Sequence, residues 1–150
     1  DKANSILDLC RKAEAKLNGV NEISPFTFNF EAELKKALPV LAQTEPIDEK
    51  WITEFKKLQA KNPDLKPDKD DEKYLTRIFA YFVWRYFLTA VFDYCVTEKI
   101  RLALFSVTVI YALYNSNEKK CFASLLKSAV LYSKQMEYSR ENLDIFFSLY

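Results

Sequence analysis

The sequence predicts an all-α fold: a single bundle of six to seven helices around a buried, aromatic-rich central helical hairpin. Three observations carry this reading. The chain has one glycine in 150 residues, whereas β-rich architectures use glycine in primed turns and bulges. Apolar residues recur at helical spacing in every long segment. The chain also holds twelve Phe, nine Tyr and two Trp, and eleven of these rings fall between Phe79 and Tyr114.

The elements follow in order. Ile6, Leu9, Cys10, Ala13 and Leu17 trace one helix face, and Gly19 sits where a helix C-terminal glycine belongs. From Ile23 to Phe30 the pattern alternates, with Phe26, Phe28 and Phe30 on one side; Pro25 and the lack of a strand partner favour a packed connector. Glu31 to Gln43 reads as a helix bent or ended at Pro39. Asp48 caps the next, whose inner face is Trp51, Ile52, Phe55 and Leu58. Lys61 to Lys73 holds nine charged residues and two prolines in thirteen positions, the composition of a solvated linker. Two apolar runs follow, Ile78 to Thr97 and Leu102 to Asn117. The last helices run from Asn117 to about Glu137, capped by Asn117 or Ser116, and from Ser139 to Tyr150, capped by Ser139.

Three stretches result. Residues 1–60 form an N-terminal helical segment packing on the core, 61–73 a charged linker, and 74–150 the aromatic-rich helical core. The apolar runs read as a core hairpin rather than as membrane spans. The second is short of the roughly 20 residues a span needs. The first carries Arg85 near its middle, followed by Thr89 and Asp93, each unfavourable in lipid. The chain starts at Asp1 and ends within the apolar run Leu143 to Tyr150, which reads as a region of a larger protein.

Composition also removes functions. With no histidine, a Ser-His-Asp or Cys-His site and the commonest zinc ligand set are excluded. One glycine cannot build a phosphate-cradling loop or a dinucleotide fingerprint. The net charge of +1 is spread along the chain, so nucleic-acid binding, which rests on a concentrated basic face, is not expected. Cys10, Cys95 and Cys121 are odd in number and far apart, the pattern of free thiols in a reducing compartment. Cys95 and Cys121 fall on apolar helix faces as small hydrophobes.

Arg85 is the most informative side chain. At 100° per residue it falls within about 60° of Ile78, Tyr81, Leu88 and Phe92, while Asp93 lies about 80° round and two turns away. A guanidinium on a buried face needs a partner, and Glu137 and Glu141 are the candidates. Arg85 otherwise holds a ligand carboxylate in a cleft, or is simply exposed. Tyr81, Tyr86 and Tyr132, with Tyr111, Tyr114 and Tyr138, either line a cavity for a lysine side chain or an adenine ring, or fill the core and send their hydroxyls to partners. No metal cluster, nucleophile-base pair or catalytic residue can be assembled.

Some of these residues also carry a family resemblance. Tyr81-Phe82-Val83-Trp84-Arg85-Tyr86-Phe87-Leu88-Thr89-Ala90-Val91-Phe92-Asp93 resembles the aromatic-Arg-aromatic helix in the C-terminal region of bacterial flagellin lysine-N-methylases. Lys99 to Leu113 is similar to the apolar helix that follows it there. Leu131 to Leu143 resembles that family's closing motif, and Glu45 to Trp51 its Pro-aliphatic-Asp-acid-x-Trp element. Lys134 stands where the family often has arginine, and Tyr138 where it often has histidine.

The resemblance implies methyl transfer from S-adenosylmethionine to lysine ε-amines of flagellin in a bacterial cytoplasm. It also implies a partner, the N-terminal part with the family's cysteine-rich cluster. This chain, lacking that motif, corresponds to the C-terminal helical part and is expected to be inactive alone. The other reading is a non-catalytic helical module whose aromatic surface binds another protein.

Overall fold

The computed structural model describes residues 5, 8, 9, 12, 28–61, 63–93 and 95–149. From residue 28 onward the described chain is helical in seven segments: α1 (Phe30–Leu41), α2 (Glu49–Lys61), α3 (Lys69–Phe87), the single turn α4 (Ala90–Asp93), α5 (Val96–Ser116), α6 (Phe122–Met136) and α7 (Arg140–Leu149). The first helix expected from the sequence, with Cys10 and Gly19, lies outside the described residues apart from Ser5, Asp8, Leu9 and Lys12, which are helical. Pro25 and Phe26 of the expected connector also lie outside them.

Helix α5 is the axis. It is buried on all sides from Leu102 to Tyr114, as an almost wholly apolar helix must be. Its hydroxyl residues are accommodated locally: Ser106, Thr108 and Ser116 donate to the carbonyls of Leu102, Leu104 and Ala112, at 2.7, 2.8 and 2.9 Å. A serine or threonine in a helix satisfies its donor this way, and Ser106 also meets the Tyr132 hydroxyl. Helix α3 runs antiparallel to α5, since Tyr111 near the end of α5 reaches Asp71 in the first turn of α3. Helix α6 is antiparallel to α5 on another side, with Tyr132 beside Ser106 and Asn117 beside Ser128. Helices α1 and α2 complete the wall: Leu34, Leu41, Trp51 and Leu58 join Phe82, Phe105, Ile110 and Phe146 in one core.

Local chemistry explains the boundaries. Asn29 and Asp68 cap α1 and α3 with side-chain oxygens that accept backbone N–H bonds. Asp48 and Ser139 stand at the starts of α2 and α7 as expected, accepting from Lys50 and Asn142. Helix α1 runs through Pro39 and ends at Leu41.

Five details differ from the sequence reading. The run Ile78 to Thr97 breaks after Phe87, where both the N–H and the hydroxyl of Thr89 bond the Tyr86 carbonyl. Helix α6 starts at Phe122 rather than Asn117, with Cys121 as its cap and Ser124 bonding back to it. Asn117 instead closes α5, its amide donating to Leu113. Ile52 points outward rather than into the core. Of the charged stretch only 63–68 is loop among the described residues, with Leu65 buried in it, while Lys61 closes α2 and Lys69 to Lys73 is already helix.

The two arms of the central hairpin are buried unequally. Helix α5 is enclosed, but α3 buries Leu75 and Phe82 and leaves a second apolar face outside. Trp84 is 77% exposed and Phe92, in α4, 86%. No helix among the described residues is long and apolar enough to cross a membrane.

Candidate functional site

Helices α3 and α6 both rest on α5 and run parallel to each other. They are tied at both ends. Tyr74 and Phe122, at the starts of the two helices, place their rings 5.5 Å apart. At the far end, Glu137 at the close of α6 reaches Arg85, Tyr81 and Tyr86 on α3. Between the ties lies an open groove of about 860 Å³. Its floor is Ile110, Phe82 and Leu125; its walls are Ile78 and Tyr81 on one side, Leu126 and Val130 on the other. Arg77 and Lys134 also line it, one from each helix.

The Glu137 cluster is the polar centre. Arg85 Nε donates to Glu137 Oε1 at 3.1 Å, and the hydroxyls of Tyr81 and Tyr86 donate to the same oxygen at 3.2 and 3.4 Å. The other oxygen accepts from Ser133, one turn back on α6. The pair is unequal in burial: the Arg85 side chain is 51% exposed and that of Glu137 3%. Burial first, then the Glu137 charge, pushes the Tyr86 phenol well above its usual range, and Tyr81 moves the same way from the same causes. The hydrogen bond to Glu137 holds Arg85 more firmly protonated than usual. Both phenols are therefore neutral donors at physiological pH.

Of the residues singled out from the sequence, the structure brings Arg85, Tyr81, Tyr86 and Glu137 together. Glu141 is not among them; it turns to the hydroxyl of Ser139, at 3.2 Å, because it sits in the first turn of α7 beside that cap. Tyr132 is not in the lining of the groove: its ring is core, between Phe82 and Phe105, and its hydroxyl pairs with Ser106 at 2.7 Å. Tyr111 is likewise core, with its hydroxyl on Asp71 at 2.8 Å; burial and that bond raise its phenol. Tyr138 stands exposed at the groove's end. The side chain of Asp93 lies outside the described residues. Cys95 and Cys121 occupy N-cap positions rather than apolar helix faces. Hydrogen bonds from the Ser124 backbone and side chain lower the Cys121 thiol from its usual value.

Two residues that sequence reasoning missed organise the other side of α6. Gln135 donates to Thr44 Oγ1 and to the Glu45 carbonyl at 3.0 and 2.8 Å, and accepts from the Ile47 N–H at 3.0 Å. Asn142 accepts from the Glu45 N–H at 2.8 Å and donates to the carbonyls of Glu45 and Gln135 at 2.9 and 2.7 Å. Both are buried. Their signal was present in the sequence, as amides among the apolar residues of the last two helices. Buried amides are retained where every donor and acceptor finds a partner.

Both oxygens of Glu137 are engaged and its side chain is buried, so in this arrangement the carboxylate is the acceptor that ties α3 to α6. No three Cys, Asp or Glu side chains among the described residues are placed to hold a metal ion. The arrangement has the features of a recognition surface, an apolar groove with cationic residues on its two walls. Comparison with family models, with curated proteins and with solved structures finds no match for the chain.

Proposed function

We propose that this chain is the C-terminal helical region of a protein of the flagellin lysine-N-methylase kind, holding substrate rather than transferring methyl groups itself. One observation carries the reading. Three of the four segments on which the resemblance rests, Glu45 to Trp51, Tyr81 to Asp93 and Leu131 to Leu143, meet in space. Gln135 and Asn142 of the third bind the backbone of the first, and Glu137 of the third binds Arg85 of the second. Segments of a shared motif set are expected to share a place in the fold.

Their chemistry here is architectural, which supports a supporting rather than catalytic role. Gln135, Glu137 and Asn142 spend their polar atoms on the chain itself. Under this reading S-adenosylmethionine chemistry belongs to the cysteine-rich part that the resemblance implies, and no step of it is assigned to residues described here. The test is to incubate the 150-residue chain with flagellin and labelled S-adenosylmethionine. The expected result is flagellin binding without label transfer. Transfer by the chain alone would remove the non-catalytic assignment, and absence of flagellin binding would remove the reading as a whole.

A further inference from the structure

The groove is floored by α5 and walled by the parallel helices α3 and α6, and we propose that it docks an amphipathic helix of another protein, apolar on one face and acidic along its flanks. The inference goes beyond the methylase reading and holds independently of it.

The walls define the shape of the occupant. On α6, Phe122, Leu126 and Val130 recur every fourth residue, forming a ridge of the kind that packs against another helix. All three are exposed, as is Tyr81 on the facing wall. From Tyr74 to Phe82 the α3 wall extends about 12 Å at 1.5 Å per residue, a little over two helical turns. A single alkyl chain on the floor would touch Ile110, Phe82 and Leu125 but leave the outer parts of both walls in water. The apolar face of an amphipathic helix offers side chains to the floor and to both walls at once.

Charge defines its flanks. Arg77 on α3 makes no ion pair among the described residues. Lys134 on α6 reaches Asp48 only at 3.7 Å. Arg85, beyond the end of the lining, is half exposed and its carboxylate partner is buried. The groove therefore shows cations on both sides. Acidic residues on the occupant complement them, and basic ones would be repelled.

The experiment uses two synthetic 16-residue helical peptides with the same leucine stripe, one flanked by glutamate and one by lysine, and fluorescence anisotropy with the whole chain. The glutamate peptide is expected to bind about tenfold or more tighter. Arg77→Glu with Lys134→Glu should invert that order, and Leu126→Asp should abolish binding of both peptides. These positions line the groove rather than the core, so circular dichroism should match the parent chain. Equal affinity for the two peptides, binding of neither, or binding unaffected by Leu126→Asp would overturn the proposal. So would capture of oleate in place of the peptides, which assigns the groove to a lipid chain. Self-association that Leu126→Asp removes would assign it to a second copy, and would equally overturn the proposal.

Discussion

The guanidinium of Arg85 is half in water, while the carboxylate it meets is not. Loss of the arginine leaves Glu137 with three hydroxyl donors and lets water into the vacated space. Arg85→Ala should therefore cost about 1.5–3 kcal/mol, the range of a hydrogen bond to a charged group, rather than the 3–5 kcal/mol or so of a broken, fully buried pair. In a Glu137→Gln background the same change should cost less than about 1 kcal/mol, because no buried charge remains to be compensated. Urea unfolding of the four proteins reads both values; equal costs in the two backgrounds would show that the pair is not coupled. Position on the wheel made Arg85 legible in the sequence, and so was the need for a partner from another helix. Its partial exposure was not legible, since that depends on how far α3 turns its second face outward. Tyr86 and Tyr111 add a pH effect. Both phenols are raised above the usual 10.0 by burial and by a carboxylate partner. The unfolded chain then loses these protons first, so the stability tied to them is complete below pH 10 and falls as pH rises beyond it. Tyr86→Phe should flatten that alkaline decline in thermal melts between pH 9 and 11, and an unchanged slope would contradict the assignment.

At the scale of elements, the cap residues explain which boundaries could be read in advance. Asp48 and Ser139 were legible because an N-cap is a local arrangement between a side chain and backbone N–H groups two or three residues on. Asn117 misled for the same reason in reverse: its amide bonds back to the Leu113 carbonyl and ends α5 instead of starting α6. The true cap, Cys121, is outside the usual capping set, so no sequence rule announced it. The tie between α6, α7 and the 44–47 connection was hidden because it joins residues about ninety positions apart. Asn142 is its most exacting member, buried with its side-chain amide fully engaged. Asn142→Ala should cost about 2–4 kcal/mol, from the unsatisfied Glu45 N–H and the carbonyls of Glu45 and Gln135. Hydrogen exchange should then quicken at Glu45 and Ile47 ahead of α5. Protection retained at those amides would show that the connection is held by packing alone.

For the whole molecule, one enclosed helix sets the arrangement. A helix as apolar as α5 needs neighbours on every side, which made the all-helical fold legible from composition and periodicity. Those signals could not tell how the neighbours sit beside one another. Helices α3 and α6 are held parallel by Tyr74 on Phe122 at one end and by Glu137 at the other. The groove between them follows from those two ties, which link residues 48 and 52 positions apart. The central claim is that polar residues of the closing motif hold the frame while the groove does the recognising. Amide chemical shifts of the whole chain, followed as the glutamate-flanked peptide is added, test it most directly. Changes are expected to concentrate at Arg77, Ile78, Leu126 and Val130, with Glu45, Gln135 and Asn142 unmoved. Changes centred instead on the exposed Trp84 and Phe92, or spread through the Gln135 and Asn142 network, would contradict it.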